Sequence, residues 1–319
     1  MTWLAPEDFA AVIQAAVRAP SMYNSQPWRF RLAPTGIDVL VDGDRQLAVA
    51  DASGWAARLA CGAALFNLRL ALAARGARGE VTLLPDRDDR RVLARITPAP
   101  SRPPTPAELR LYRAIPRRHS NRAPFLDTPV PVDVRTELIA AAHTENAWLD
   151  LVLGPVAVET TAELVQAADE VLRRDPAYQA ELSAWTRTDQ AAGDGVPVST
   201  GGPAPQPREL LPRRDFGGPD LPPHRAFERE PLIAVLGATG DWPADQIQVG
   251  QALQRVLLTA TDRGLSASMF SQPIEVPAVR EQLRLALGRH GVPQMLLRFG
   301  YGAPAPVSPR RPVHEVIAG

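Results

Sequence analysis

The chain has 319 residues, 45% hydrophobic and 22% charged, which is apolar enough for a sizeable core in one large domain or two average ones. Its 35 basic and 35 acidic residues cancel, so the cation surplus of a general nucleic-acid binder is missing, and every basic residue is an arginine. Without lysine there is no pyridoxal-phosphate Schiff base and no Walker-type phosphate lysine, so any bound anion must be held by arginine, hydroxyls, backbone amides or helix ends.

The chain opens MTWLAPEDF, with an acidic residue where a signal peptide would carry a basic n-region. A helix over Asp8 to Arg18 then leads into Ala19-Pro20-Ser21-Met22-Tyr23-Asn24-Ser25-Gln26-Pro27-Trp28 and a strand after the tryptophan. That loop offers backbone amides and amide side chains held by two prolines, which suits a planar, hydrogen-bond-rich ligand. It also reads as a plain helix C-terminal loop that ends in a core tryptophan. A strand is expected at Gly36–Val41. The single cysteine, Cys61, forbids an intrachain disulfide, fits a reducing cytoplasm and reads as a small core residue. Next to it, Gly62 to Gly76 is apolar nearly all round, as a buried helix with a glycine cap would be. No run approaches the ~20 apolar residues of a membrane span, so no membrane partner is expected.

Strands at Val81–Leu84 and Val92–Ile96 follow, and a proline-rich span over Arg95–Pro106 joins a first half, residues 1–105, to a second, residues 106–319. The second half opens with Arg117-Arg118-His119-Ser120-Asn121-Arg122, which packs three guanidiniums, an imidazole and a hydroxyl into six positions. Such spacing suits a phosphate ester, because guanidinium forks match its oxygens and each charge-assisted bond contributes about 1.5–3 kcal/mol. A solvated basic turn accounts for it equally well. A helix over Val132 to His143 leads to Trp148 and a strand at Leu149–Leu153. Residues 193–223 are dense in glycine and proline without hydrophobic periodicity, and read as a lid or a linker. Strands at Leu232–Gly237 and Pro293–Tyr301 flank a second all-round apolar helix, Gly250 to Gly264. The fold class is therefore α+β.

The two apolar helices both run from glycine to glycine, and Gly, Ala, Leu, Leu, Arg and Gly recur in register. Each half also contains a helix leading to a tryptophan and a strand, although the second copy lacks the Pro-Ser insert. Two matches in the same order favour an internal duplication. His119, His143, His224, His290 and His314 show no metal-ligand spacing, so no metal is expected. No GxGxxG follows a strand, so a nicotinamide would visit and leave rather than bind stably.

The motifs PSxxNSQPW and RRHSNR resemble those of the FMN-dependent nitroreductase family. The tail Pro309-Arg310-Arg311-Pro312 resembles that family's C-terminal phosphate arm, and Gly264 to Gln272 resembles the loop whose amides face flavin N5. Cys61 to Arg69 and Asp194-Gly195-Val196-Pro197 resemble more narrowly the Acg-like branch, a fused single-chain form. The resemblance spans nearly the whole chain. It implies an oxidoreductase that carries hydride from NAD(P)H through flavin N5 to a nitroaromatic, a quinone or a related acceptor, with no side-chain catalytic residue. It implies that Arg118, His119, Ser120 and Arg122 hold the ribityl-phosphate and ring edge, with Arg310 and Arg311 completing the phosphate clamp. Pro20, Ser21, Met22 and Asn24 cover the ring from the other half, and Ser271 and Gln272 place amides near N5. The family usually forms homodimers in which each subunit carries both motifs. Here each half keeps only one, which predicts a single FMN per chain at a pseudo-two-fold interface. An internal pairing of this kind makes a monomer sufficient and leaves a homodimer open. The excursion over residues 193–223 supplies the alternative, a protein that binds FMN under a cover and does not turn over.

Overall fold

The structure is a computed structural model that describes residues 4–189, 192–206, 209–220, 226–228 and 230–318. The chain begins with α1 (Pro6–Ala16), β1 (Trp28–Ala33), β2 (Gly36–Val41), α2 (Trp55–Ala74), β3 (Arg78–Leu83) and β4 (Val92–Ala99). It continues with α3 (Pro106–Ala114), α4 (Val132–Thr144), β5 (Trp148–Val152), α5 (Pro155–Arg174), α6 (Pro176–Ala184), and the two-residue strands β6 (Thr186–Arg187) and β7 (Val196–Pro197). It ends with β8 (Leu232–Ala238), α7 (Pro243–Asp262), β9 (Ser266–Phe270), α8 (Gln272–Glu275), α9 (Pro277–Ala286), β10 (Val292–Gly300) and α10 (Val313–Val316). The proline-rich span is shorter than the sequence implied. Its first residues, through Ala99, complete β4 against β2 and β3, and α3 starts at Pro106 behind a Thr105–Glu108 capping box.

Two antiparallel four-stranded sheets carry the fold, in the orders β1-β2-β4-β3 and β5-β8-β10-β9. In each, the strand order follows the same path through the chain: first, second, fourth, third. Between the sheets lie α2 and α7. Trp55, Ala56 and Leu59 of α2 join the core of the second sheet, while Ala60, Leu65 and Leu68 join that of the first. By length and composition α2 is apolar enough to cross a membrane, contrary to the sequence expectation, yet almost all of it is buried inside the molecule.

The crossing of these helices is reciprocal. A Cβ on Gly62 would stand 2.1 Å from the Ile247 carbonyl oxygen, and one on Gly250 would stand 2.1 Å from that of Leu59. Glycine is what lets the two backbones meet. Their C-termini close alike: Gly76 and Gly264 have φ of 73° and 76°, and the next amides reach back to Leu72 O at 3.1 Å and Ala260 O at 2.8 Å. Past β10 the chain returns to the first half. Val316 is buried in the core of the first sheet and the Ala318 amide donates to Phe30 O of β1 at 2.8 Å.

Candidate functional site

The segment after α1 has three non-glycine residues in the left-handed region, Tyr23 (φ 51°), Asn24 (φ 54°) and Gln26 (φ 52°). Such residues cost about 1–3 kcal/mol each and persist only where their surroundings hold them. Here the Gln26 amide donates to Ser21 Oγ at 2.9 Å and Trp28 anchors the exit in the core. The side chains of Asn24 and Gln26 reach across to the second half, donating to Gly195 O at 2.9 Å and Gly193 O at 2.8 Å. The excursion is thus tied to the loop of the other half.

That loop forms one wall of an open cleft lined by residues of both halves. Pro20, Ser21, Met22 and Tyr23 face Arg122, Ser271 and Gln272 across it, over a floor that includes Leu59 of α2 and Leu253 of α7. Arg122 donates to Thr200 O at 3.0 Å and lies 5.0 Å from the Phe216 ring. Burial first, then Arg214 and Arg213, bring its guanidinium down to about 10. The segment carrying it runs along β9: Ser120 pairs with Ala267, and the Asn121 amide donates to Ala267 O at 2.8 Å.

A second group of cations gathers at the end of α1. Arg310 donates to Val17 O at 2.8 Å, Ala19 O at 3.1 Å and Asn24 Oδ1 at 3.0 Å. Arg118 donates to Arg18 O at 3.2 Å, and its Nε is buried without a partner. Among the described residues, neither guanidinium has a carboxylate within ion-pair distance. The helix-end carbonyls compensate only part of the charge. Burial brings Arg118 down to about 10; burial, with Arg118 and Arg18, brings Arg310 down to about 9. Burial and the same three arginines push His119 down to about 4. Cations gathered without acids, one with an orphaned N–H, form a setting made for an oxyanion.

Arg311 sits in a different setting from Arg310. Its guanidinium pairs with Asp42 at 3.6 Å and Glu315 at 3.3 Å, its Nη1 is buried without a hydrogen-bond partner, and its backbone amide donates to Gln26 Oε1 at 2.9 Å.

The nitroreductase family profile matches residues 115–301. A Mycobacterium tuberculosis protein provisionally named as an NAD(P)H nitroreductase is 34% identical over 320 residues, covering 98% of this chain and 91% of that protein. This chain belongs to the nitroreductase family. The Acg protein of M. tuberculosis, with the same provisional name, is 31% identical over 324 residues, covering 99% and 97%. Among solved structures, an FMN-bound nitroreductase from Desulfitobacterium hafniense aligns at a TM-score of 0.44 and 14% identity, over 66% of this chain and 97% of that one. An NADPH:FMN oxidoreductase from Vibrio harveyi aligns at 0.40 and 15%, over 66% and 76%.

The cleft also contains residues that the sequence did not single out for it: Tyr23, Arg213, Arg214 and Phe216. The last three come from the excursion, of which residues 207, 208 and 221–223 lie outside the described residues, as does His224. Arg214 donates to Tyr178 Oη at 2.8 Å and to Ser271 Oγ at 3.0 Å, and pairs with Glu275. Burial opposes its charge, but Glu275 and the two tyrosines hold the guanidinium well above its ordinary value. Phe216 meets Tyr23 edge-on at 6.3 Å. The signal that could have found this wall is a pair of arginines and a lone phenylalanine within an otherwise apolar-poor stretch. Cys61, buried in α2 with burial raising its thiol, packs as the small core residue expected.

Proposed function

We propose that the cleft holds one FMN per chain, with its phosphate against Arg118, His119 and Arg310 and its ring between Pro20, Ser21 and Met22 on one side and Arg122, Ser271 and Gln272 on the other, while Asn24 braces the loop from behind through Gly195 O and Arg310. The observation that carries this reading is a cleft lined from both halves by Pro20, Ser21, Met22, Arg122, Ser271 and Gln272, together with the buried, acid-free guanidinium cluster at the end of α1. Arg311 is left out of the clamp. FMN would supply two-electron transfer between NAD(P)H and a small-molecule acceptor such as a nitroaromatic or a quinone. The chain's own part is to bind and orient. Arg122, without a carboxylate partner among the described residues, favours negative charge beside it, and the apolar floor at Leu59 and Leu253 limits water. A single pairing of one motif from each half makes one cofactor per chain and needs no second copy.

A second reading rests on the excursion wall. With Arg213, Arg214 and Phe216 across the cleft, the cofactor would be held under cover and exchange electrons slowly or not at all. One experiment addresses both. FMN is titrated anaerobically into the purified protein, and NADPH or NADH is then added. Saturation at one FMN per chain with rapid bleaching supports the oxidoreductase, and saturation without bleaching supports the covered form. No binding, or two FMN per chain, would sink both.

A further inference from the structure

A second, open cavity lies away from the cleft between α2, α7, the start of β3 and the start of α3. Its wall includes Phe66, Arg69, Arg78, Arg255 and Glu108. Two guanidiniums stand over the Phe66 ring, Arg255 at 4.9 Å and Arg69 at 5.4 Å, and are thereby held in place. Behind them the buried Glu145 accepts from Arg69 Nη1 at 2.8 Å and from Arg255 Nε at 2.8 Å, while Gln251 Oε1 takes Arg69 Nη1 at 2.8 Å. Arg78 gives Nη2 to Glu108 Oε1 at 2.5 Å, but its Nε is buried and has no partner. Arg102 also shares Glu108, at 3.2 Å, so four cations meet two carboxylates. Each guanidinium keeps N–H donors that no described residue accepts, and one of these donors is shut off from solvent.

A buried unpaired N–H is costly, and planar guanidinium forks match the paired oxygens of a carboxylate or phosphate. We propose that this cavity is a binding site for a small oxyanion, carboxylate or phosphate, held by Arg69, Arg78 and Arg255 against the Phe66 ring. The site is separate from the cationic cluster at the end of α1 and owes nothing to the flavin reading. Because Phe66 and Leu59 lie on the same helix two turns apart, an occupant would rest on the element that floors the cleft.

The test is calorimetric titration of the full chain, saturated with FMN, using inorganic phosphate and benzoate as probes. Binding of either probe in the millimolar range or tighter is expected, and which probe binds separates a phosphate from a carboxylate occupant. Arg78→Gln should weaken it about tenfold or more, and Arg174→Gln, exposed at the end of α5, should leave it unchanged. Glu108→Gln removes the carboxylate that competes for Arg78 and should tighten binding severalfold, which keeps the test decisive if Arg78→Gln does not fold. The proposal is overturned by no binding of either probe, by binding that Arg78→Gln leaves unchanged, or by a Glu108→Gln affinity that is unchanged or weaker.

Discussion

Arg310 and Arg311 adjoin in the chain and differ in their circumstances. Arg311 has Asp42 and Glu315, whereas Arg310 has only carbonyls and the Asn24 amide oxygen. A charge-assisted bond to a phosphate oxygen contributes about 1.5–3 kcal/mol, so Arg310→Gln should weaken FMN binding by about ten- to a hundredfold. Arg311→Gln should change it by less than about threefold on the same scale. Fluorescence titration of both variants decides between them, and equal losses would return Arg311 to the clamp. His119 gives a second handle. Its folded value of about 4 lies below the ordinary 6.5, so between these values the unfolded chain binds a proton that the folded chain does not. Stability therefore rises with pH across that window and is lost toward acid. A bound phosphate dianion would offset the arginines and lift His119, so the urea midpoint at pH 5 should recover toward its pH 7 value once FMN is added. A His119→Gln variant should lack this part of the acid sensitivity; if it keeps all of it, the cause lies elsewhere.

At the scale of elements, the crossing of α2 and α7 leaves no room for a side chain between the two backbones. Alanine at Gly62 or at Gly250 would press a methyl into a backbone carbonyl, which no rotamer change relieves. Each substitution should cost about 3 kcal/mol or more, at the upper end of overpacking costs, read from the denaturation midpoint. A loss below about 1 kcal/mol would mean that the helices separate easily. These helices were legible because their glycine-to-glycine runs repeat, although their beginnings at Trp55 and Pro243 were not. A helix that is apolar all round has no face to mark where it starts. The strand β9 was read as a loop, since Ser266-Ala267-Ser268 carries little strand propensity; what makes it a strand is its pairing with Arg298 to Gly300 of β10. The loop after α1 could be read from its prolines and amides, but its three left-handed residues could not. Their conformation depends on Gly193, Gly195 and the Arg311 amide, all remote in sequence.

For the whole molecule, the cleft is assembled from both halves and then faced by the excursion. Periodicity gave no hint of that wall, because Arg213, Arg214 and Phe216 belong to no regular element and acquire their positions from Ser271, Glu275 and Tyr23. If the wall gates access, Phe216→Ala should speed NADPH-driven loss of flavin absorbance severalfold in stopped-flow measurements while leaving the FMN stoichiometry intact. An unchanged rate would mean that the donor enters by another route. The guanidinium cluster has a different consequence, in time rather than space. Arg18 and Arg118 leave the ribosome early, but the return of the chain along the first half brings Arg310 only after both sheets have been synthesised. A nascent chain can thus make every strand of both sheets before it can complete its anion site, so capture of a phosphate-bearing ligand would report that synthesis has passed Arg310.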